Sequence, residues 1–322
     1  MKQNLIAGFD LGGTKMRAAI LTASFKIISR AEAKTKDMAD AKAGVARIAA
    51  LVNEALDAAR LQHPDATLGS LGLAVPGPIH PAKGLIYELP NIGWKNVPIA
   101  RLMEKALGVP VRVINDVDAG ILGEYHFGAA KNSRTAVGVF PGTGIGGGAV
   151  INGALLAADD ISCMEIGHLP VVPDGPLCGC GQRGCLEAVA GRLAIAQEAA
   201  SAAHRGAAPN LLKLAGTDIA QIRSRTLAKA IAAGDTVVEQ IVRQAARHTG
   251  HAVAVAINLL AADCVVLGGG LVEAMPGLYL AEVEAAAKSR CMASFRDRVK
   301  ILAAKLGDDA ALLGAAKFAS QS

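Results

Sequence analysis

The sequence predicts an α/β protein built from two related domains, and three observations carry that prediction. A stretch near the start, LIAGFDLGGTKMRAAIL, and a later one, TAVGVFPGTGIGGGAVI, lie over each other at an offset of 130 residues, with Gly8 on Gly138 and Gly12 on Gly142. Each reads as an apolar strand, a tight glycine turn and a second apolar strand, and recurrence of such a unit marks a duplicated architecture. Around both copies, strand-like runs alternate with stretches of helical period, the pattern of α/β folds. Finally, 322 residues suffice for two domains, and a chain that is 52% hydrophobic but only 3% aromatic must build its cores from small aliphatic side chains.

In chain order, the first strand starts at Leu5 and reaches the turn at Gly12-Gly13, and MRAAIL returns as the second strand. Ala39 to Arg60 has helical periodicity. Leu71 to Val75 is a short strand stopped by Pro76-Gly77-Pro78, and Val111 to Ile114 is another, followed by a helix near AGILGEYHFG that either Asp116 or Asp118 would cap. After the second glycine hairpin, alanine-rich helices are centred on Ile195, Ile231, Val242 and Val253, and Asp309 to Ser320 forms the last helix. His251 to Leu271 is apolar enough to resemble a membrane span. Asn258 and Asp263 interrupt it and three glycines close it, so it divides into a buried helix, a turn at Ala262-Asp263 and a buried strand from Cys264 to Leu267. The expected domains are a small N-terminal one, 1–115 with 308–322, and a larger C-terminal one, 116–307, facing each other across a cleft.

Composition excludes several functions. A net charge of +5 without a dense Lys/Arg stripe offers no electrostatic support for nucleic-acid or membrane binding, while a small anionic ligand fits. Six cysteines, several in a metal pattern, and an initial apolar stretch already broken by Asp10 in place of a secretory leader, point to a reducing cytosol.

That metal pattern is the densest chemical signal. EIGHLPVVPDGPLCGCGQRGCLE places His168, Cys178, Cys180 and Cys185 in one loop, 168–185, with Glu165 before it and Glu187 after it. Three thiolates and an imidazole suit tetrahedral zinc, and four protein ligands leave no open position, so the metal would hold a loop and perform no chemistry. A nucleic-acid zinc knuckle would not need the flanking acids. A deaminase-type zinc site needs His-x-Glu and Pro-Cys-x-x-Cys, whereas here Glu165 precedes His168 and the cysteines run Cys-x-Cys.

Glycine turns expose backbone N–H groups that cradle phosphate oxygens. One such turn is usually only a hairpin. Two related turns, at Gly12-Gly13 and at Gly142 to Gly146, plus Gly268-Gly269-Gly270 after a buried strand, together point to a nucleotide site; a P-loop is excluded because a strand, not a helix, follows Gly13-Thr14-Lys15. Asp10 interrupts an apolar strand beside the first turn, where it would hold Mg²⁺ through water while Thr14 offers its hydroxyl to phosphate; the second copy has Phe140 there. Asp116, at a strand's carboxyl end, is either a helix cap or a general base.

Taken together and in this order, DLGGTK (Asp10 to Lys15), IND (Ile114 to Asp116), GTGIGGG (Gly142 to Gly148), EIGH (Glu165 to His168) and CGCGQRGCLE (Cys178 to Glu187) resemble the ROK family of sugar kinases and repressors, within the actin-like ATPase superfamily, over Ile6 to about Gly314. The resemblance implies two actin-like (ribonuclease H-like) domains, with the zinc loop in the larger, and an ATP-dependent, glucokinase-like hexose kinase. It makes Asp116 the base that deprotonates the sugar C6 hydroxyl. Asn91, Asn115, Glu165, His168 and Glu187 match positions that hydrogen-bond sugar hydroxyls. Gly12, Gly13, Thr14, Gly142, Thr143, Gly144 and Gly146 would hold phosphates, Gly268 to Gly270 would lie near the adenosine, and Lys15 is either a phosphate contact or a solvated side chain. A homodimer is implied as well. NDVDAG departs from the family's Asn-Asp-Ala-Asn-Ala at Asp118 and Gly120, and LPNIGW departs around Asn91, where Trp94 reads as an anchor for the loop. Repressors of the family carry a winged helix ahead of the kinase-like part; with a first strand at Leu5 and no basic recognition helix, that class is not expected.

Overall fold

The computed structural model describes residues 4–158, 160, 161 and 163–321. It forms two compact units, one of Met1–Asn132, Gly153–Cys163 and Lys305–Ser322, the other of Ser133–Asn152 and Met164–Ala304.

The first unit opens with β1 (Asn4–Leu11), β2 (Lys15–Leu21) and β3 (Ile27–Lys34), an antiparallel meander. α1 (Ala41–Arg60) follows, capped by Asp40, whose Oδ2 accepts the Ala43 N–H at 2.8 Å. β4 (Thr67–Val75) then pairs parallel with β1. A small sheet of β5 (Ile79–His80), β6 (Leu85–Leu89) and β7 (Trp94–Val97) precedes α2 (Ile99–Leu107), which stops at the left-handed Gly108. β8 (Val111–Asn115) completes the main sheet in the order β3-β2-β1-β4-β8, and α3 (Asp116–Phe127) leaves from its end.

In the second unit, β9 (Thr135–Pro141) and β10 (Ile145–Ile151) form the second glycine hairpin, after which a two-residue strand, β11 (Ala154–Leu155), falls within the first unit. The helical half expected from the alanine-rich sequence follows as α4 (Leu186–Ala190), α5 (Arg192–His204), α6 (Pro209–Ala215), α7 (Ser224–Ala232) and α8 (Thr236–Leu260). α8 ends at the left-handed Ala261, and β12 (Cys264–Leu267) is wholly buried, the division expected for His251 to Leu271. Among the described residues, no helix is long and apolar enough to cross a membrane. After α9 (Gly270–Ala274), α10 (Pro276–Arg290) and α11 (Ala293–Arg296), β13 (Lys300–Ala303) gives this unit the strand order β10-β9-β12-β13. β9 is antiparallel to β10 and parallel to β12, which is parallel to β13, and the series β2-β1-β4-β8 repeats that pattern strand for strand. The repeat seen at an offset of 130 residues is therefore a repeat of topology as well.

The chain returns to the first unit with α12 (Asp309–Ala319). A Cβ on Gly8 or Gly72 would strike the carbonyl of Leu312 or Ala315, and one on Gly123 or Gly314 that of Ala310 or Ala119, so α12 meets β1, β4 and α3 with no side chain between the backbones. Glu124 is fully buried, and its carboxylate accepts the N–H groups of Ala129, Lys305 and Leu306 at 2.7–2.8 Å. These contacts keep α3 in the first unit, so the change of unit falls at Asn132–Ser133 rather than at 115–116. A strand-to-helix junction shows where an element changes; which neighbours the helix packs on is settled by glycines two hundred residues apart.

Candidate active site

In the first unit, Asp10 stands at the end of β1 beside the Gly12-Gly13 turn. Thr35 closes that turn: its Oγ1 donates to the Gly12 carbonyl at 2.7 Å and its N–H to the Thr14 carbonyl at 2.9 Å. Asn91 lies against it, since a Cβ on Gly13 would sit 3.2 Å from the Asn91 Nδ2. Trp94 anchors this loop as expected, 2% exposed, with its indole N–H donating to the Met38 carbonyl at 2.6 Å. Lys15 is engaged across the strands with Glu32 at 2.5 Å, both side chains about half exposed.

The cap of α3 is neither acid expected for it. Asn115 takes the role, its Oδ1 accepting the N–H groups of Val117 and Asp118 at 2.9 and 3.3 Å, while its Nδ2 donates to the Gly77 carbonyl at 3.4 Å. Asp116 is thereby released from capping and stands as the first helical residue. Burial pushes its carboxyl above the ordinary range, against the stabilising N–H of Val117. Asp10 is pushed up to about 6, chiefly by burial and then by the charge of Asp116, with Arg17 at 3.9 Å opposing and Asp308 adding to the rise. Arg17 is itself shared with Glu32 at 3.2 Å and Asp308 at 2.9 Å, so it neutralises Asp10 only in part.

In the second unit, the turn from Gly142 to Gly146 is clamped by the α4–α5 corner. The Arg192 N–H donates to the Gly142 carbonyl at 3.0 Å, its Nη2 lies 3.1 Å from the Thr143 Oγ1, and the Leu193 N–H reaches the Thr143 carbonyl at 3.4 Å. Glu187 supplies the remaining bond, its Oε2 accepting the Ile145 N–H at 2.9 Å. The Gly268 to Gly270 run joins this region: the Gly268 N–H donates to the Val139 carbonyl, and Gly269, at φ 82°, has no room for a Cβ beside Pro141. A Cβ on Gly270 would sit 3.3 Å from the Ser224 Oγ.

Glu165 precedes the single 3₁₀ turn Ile166–His168, which packs on β10 because Gly147 and Gly167 leave space for Ile166 and for the Ile145 carbonyl. The donor atoms of His168, Cys178, Cys180 and Cys185 all lie within 4.8 Å of one another, with His168 Nδ1 3.6 Å from the Cys178 Sγ and the Cys180 and Cys185 Sγ atoms 3.6 Å apart. Ligand edges of about 3.5–3.8 Å follow from tetrahedral zinc with Zn–S near 2.3 Å and Zn–N near 2.0 Å, so the cluster could hold zinc. The loop around it is fixed by the N–H of Cys178 to the Gln182 carbonyl and of Leu186 to the Leu169 carbonyl, both at 2.8 Å.

The predicted residues thus form two groups: Asp10, Gly12 to Lys15, Asn91, Asn115 and Asp116 in the first unit, and the second glycine turn, Glu165, His168, Glu187, the cysteines and Gly268 to Gly270 in the second. Sequence reasoning missed Thr35, Arg192 and Ser224. Each touches a glycine turn from far along the chain, and no local motif marks them.

A model of the ROK family matches residues 6–322. The glucokinase of Streptomyces coelicolor is 31% identical, the match covering 98% of this chain and 98% of that protein. The glucokinase of Thermotoga maritima is 32% identical over 97% of this chain and 96% of its own. Among solved structures, a ROK family glucokinase from Streptomyces griseus in complex with glucose and AMPPNP superposes with a TM-score of 0.83 at 31% identity, covering 99% of this chain and 100% of that one.

Proposed function

Since the chain belongs to the ROK family and is an ATP-dependent sugar kinase acting on a hexose, we propose that it transfers the γ-phosphate of ATP to the C6 hydroxyl of glucose, with Asp116 as the base. The observation that carries this role is the capping of α3 by Asn115, which leaves the Asp116 carboxylate available, and its burial, which raises its proton affinity. Asp116 takes the hydroxyl proton as the oxygen attacks phosphorus. The turns at Gly12 to Thr14 and Gly142 to Gly146 offer N–H and hydroxyl donors to the phosphates, and Gly268 to Gly270 border the adenosine. Asp10 would hold Mg²⁺, which supplies charge neutralisation to the phosphates when bound. Asn91, Asn115, Glu165 and Glu187 bind sugar hydroxyls, and His168, with Nδ1 turned to the thiols, presents Nε2 to the sugar. The position of Lys15 against Glu32 supports a solvated strand lysine. The proposal extends to a cytoplasmic homodimer, on the family resemblance and on the reduced thiols that a metal pattern needs, with zinc held by His168, Cys178, Cys180 and Cys185, whose donor atoms lie within 4.8 Å of one another.

The test is ADP release with magnesium-ATP over a panel of glucose, mannose, fructose, N-acetylglucosamine and N-acetylmannosamine. Glucose should give the highest kcat/KM. A higher value for another sugar replaces glucose in the proposal, and sugar binding without turnover on any of them makes the chain a regulatory sugar-binding protein. A second expected outcome concerns the metal. Chelating zinc should weaken nucleotide-free sugar binding by about tenfold or more, the scale on which support of a ligating residue acts; zinc-free protein that stays folded with unchanged sugar affinity would remove the metal from any part in the sugar site.

A further inference from the structure

We propose that Glu187 is a positioning residue for the phosphate turn as well as a sugar ligand, so that one carboxylate makes sugar and nucleotide binding mutually reinforcing. The inference rests on the sugar role proposed for Glu187 and goes beyond it. Its Oε2 accepts the N–H of Ile145, inside the Gly142 to Gly146 turn, at 2.9 Å. Its Oε1 receives no hydrogen bond from any described residue and is left for a sugar hydroxyl. Gly144 is shaped around this contact: a Cβ there would overlap the Glu187 carboxylate, whereas one on Gly142 would meet nothing nearer than the Gly144 carbonyl at 3.9 Å.

The rest of the turn leans on the same short helix. Arg192 and Leu193, which open α5 directly after α4, hold Gly142 and Thr143, and α4 starts at Leu186, straight after Cys185 of the thiol cluster. A hydroxyl bound at Oε1 fixes the rotamer that Oε2 needs for the Ile145 N–H, and a turn ordered by phosphate fixes the rotamer the hydroxyl needs. Whichever ligand binds second encounters a group already ordered, which is positive coupling and reciprocal by necessity.

The experiment uses zinc-loaded protein, calorimetry, the non-hydrolysable ATP analogue AMPPNP and the sugar with the highest turnover on the panel. Without nucleotide, Gly144→Ala should weaken sugar binding about tenfold or more, because its Cβ displaces a charged hydrogen-bonding group at the flexible end of a side chain, while Gly277→Ala in α10, where a Cβ would meet nothing within 4 Å, stays within about twofold of wild type. In the wild type, sugar and AMPPNP should each tighten the other about fivefold or more, within the usual range of coupling, and Glu187→Ala should bring that ratio to within about twofold of one. The coupling ratio is the readout that a merely structural role would leave unmoved. Wild-type sugar affinity in Gly144→Ala, alongside weakened binding in Glu187→Ala, overturns the coupling and leaves the sugar role standing. Unchanged sugar affinity in Glu187→Ala overturns both. Absence of coupling in the wild type, or its persistence in Glu187→Ala, overturns the proposal as well, even if Gly144→Ala does not fold.

Discussion

Asp116→Asn should lower kcat by about 10²-fold or more while leaving sugar affinity within a few-fold, because the amide keeps the shape and the contact with Val117 but cannot accept the proton. The split between kcat and binding identifies a base: a residue that only positioned the sugar would raise KM or Kd instead. A pH profile adds an independent reading. Catalysis requires the deprotonated carboxylate, so kcat/KM is full at high pH and is lost as pH falls through the value in the free enzyme. Burial raises that value, so the acid limb should lie above the ordinary carboxylate range. Near-wild-type turnover in Asp116→Asn, or an acid limb at the ordinary range, would remove Asp116 from this role.

Asp10→Asn should make the folded protein more stable and the enzyme worse. Its carboxyl is raised from 3.8 to about 6 in the fold, chiefly by burial, which means that the charged form is held at a cost. A raised carboxyl disfavours the folded state fully above pH 6, less as pH falls from about 6 towards 3.8, and not at all below. Removing the charge should therefore stabilise the protein at pH 8 by about 1–3 kcal/mol, from 1.36 kcal/mol per pKa unit, and by only about 0.5 kcal/mol or less at pH 4. At roughly 1.5 °C per kcal/mol, from about 2.1 cal/mol/K per residue over 322 residues, thermal unfolding at the two pH values resolves the difference. The same substitution should raise KM for magnesium-ATP, since the site proposed for the cation loses its charge. A lower melting temperature than wild type at pH 8 would mean that the attraction of Arg17 outweighs burial. Such a residue, which costs stability where it stands, has the profile of a functional one.

What could be read from the chain, and what could not, separates by distance in sequence. The His168 and cysteine cluster was legible because its three thiols fall within eight residues and its histidine ten residues earlier, so one loop brings donors that could hold a metal to within 4.8 Å of each other. The duplicated hairpins were legible because a strand, a glycine turn and a strand are each local patterns. The cap of α3 was assigned to the acids because the helix was expected near AGILGEYHFG; it starts three residues before that stretch, at Asp116, which moves the cap back to Asn115. Arg192 at Thr143, Thr35 at Gly12 and Glu187 at Ile145 had no signal, since each bond joins segments at least twenty residues apart.

Local spacing alone thus specified the α/β class, the repeat and the gathering of His168 with the three cysteines, because periodicity, turn chemistry and loop closure act over a few residues. The packing of α3 with α12, the release of Asp116 from capping, the elevation of Asp10 and the clamp on the second glycine turn arose only when distant segments met. Burial and backbone-to-backbone approach are properties of a surface assembled from both ends of the chain, with Gly8 placed under Leu312 and Gly72 under Ala315. No window of sequence contains both partners, and the charge on a carboxylate depends on what the fold has laid beside it.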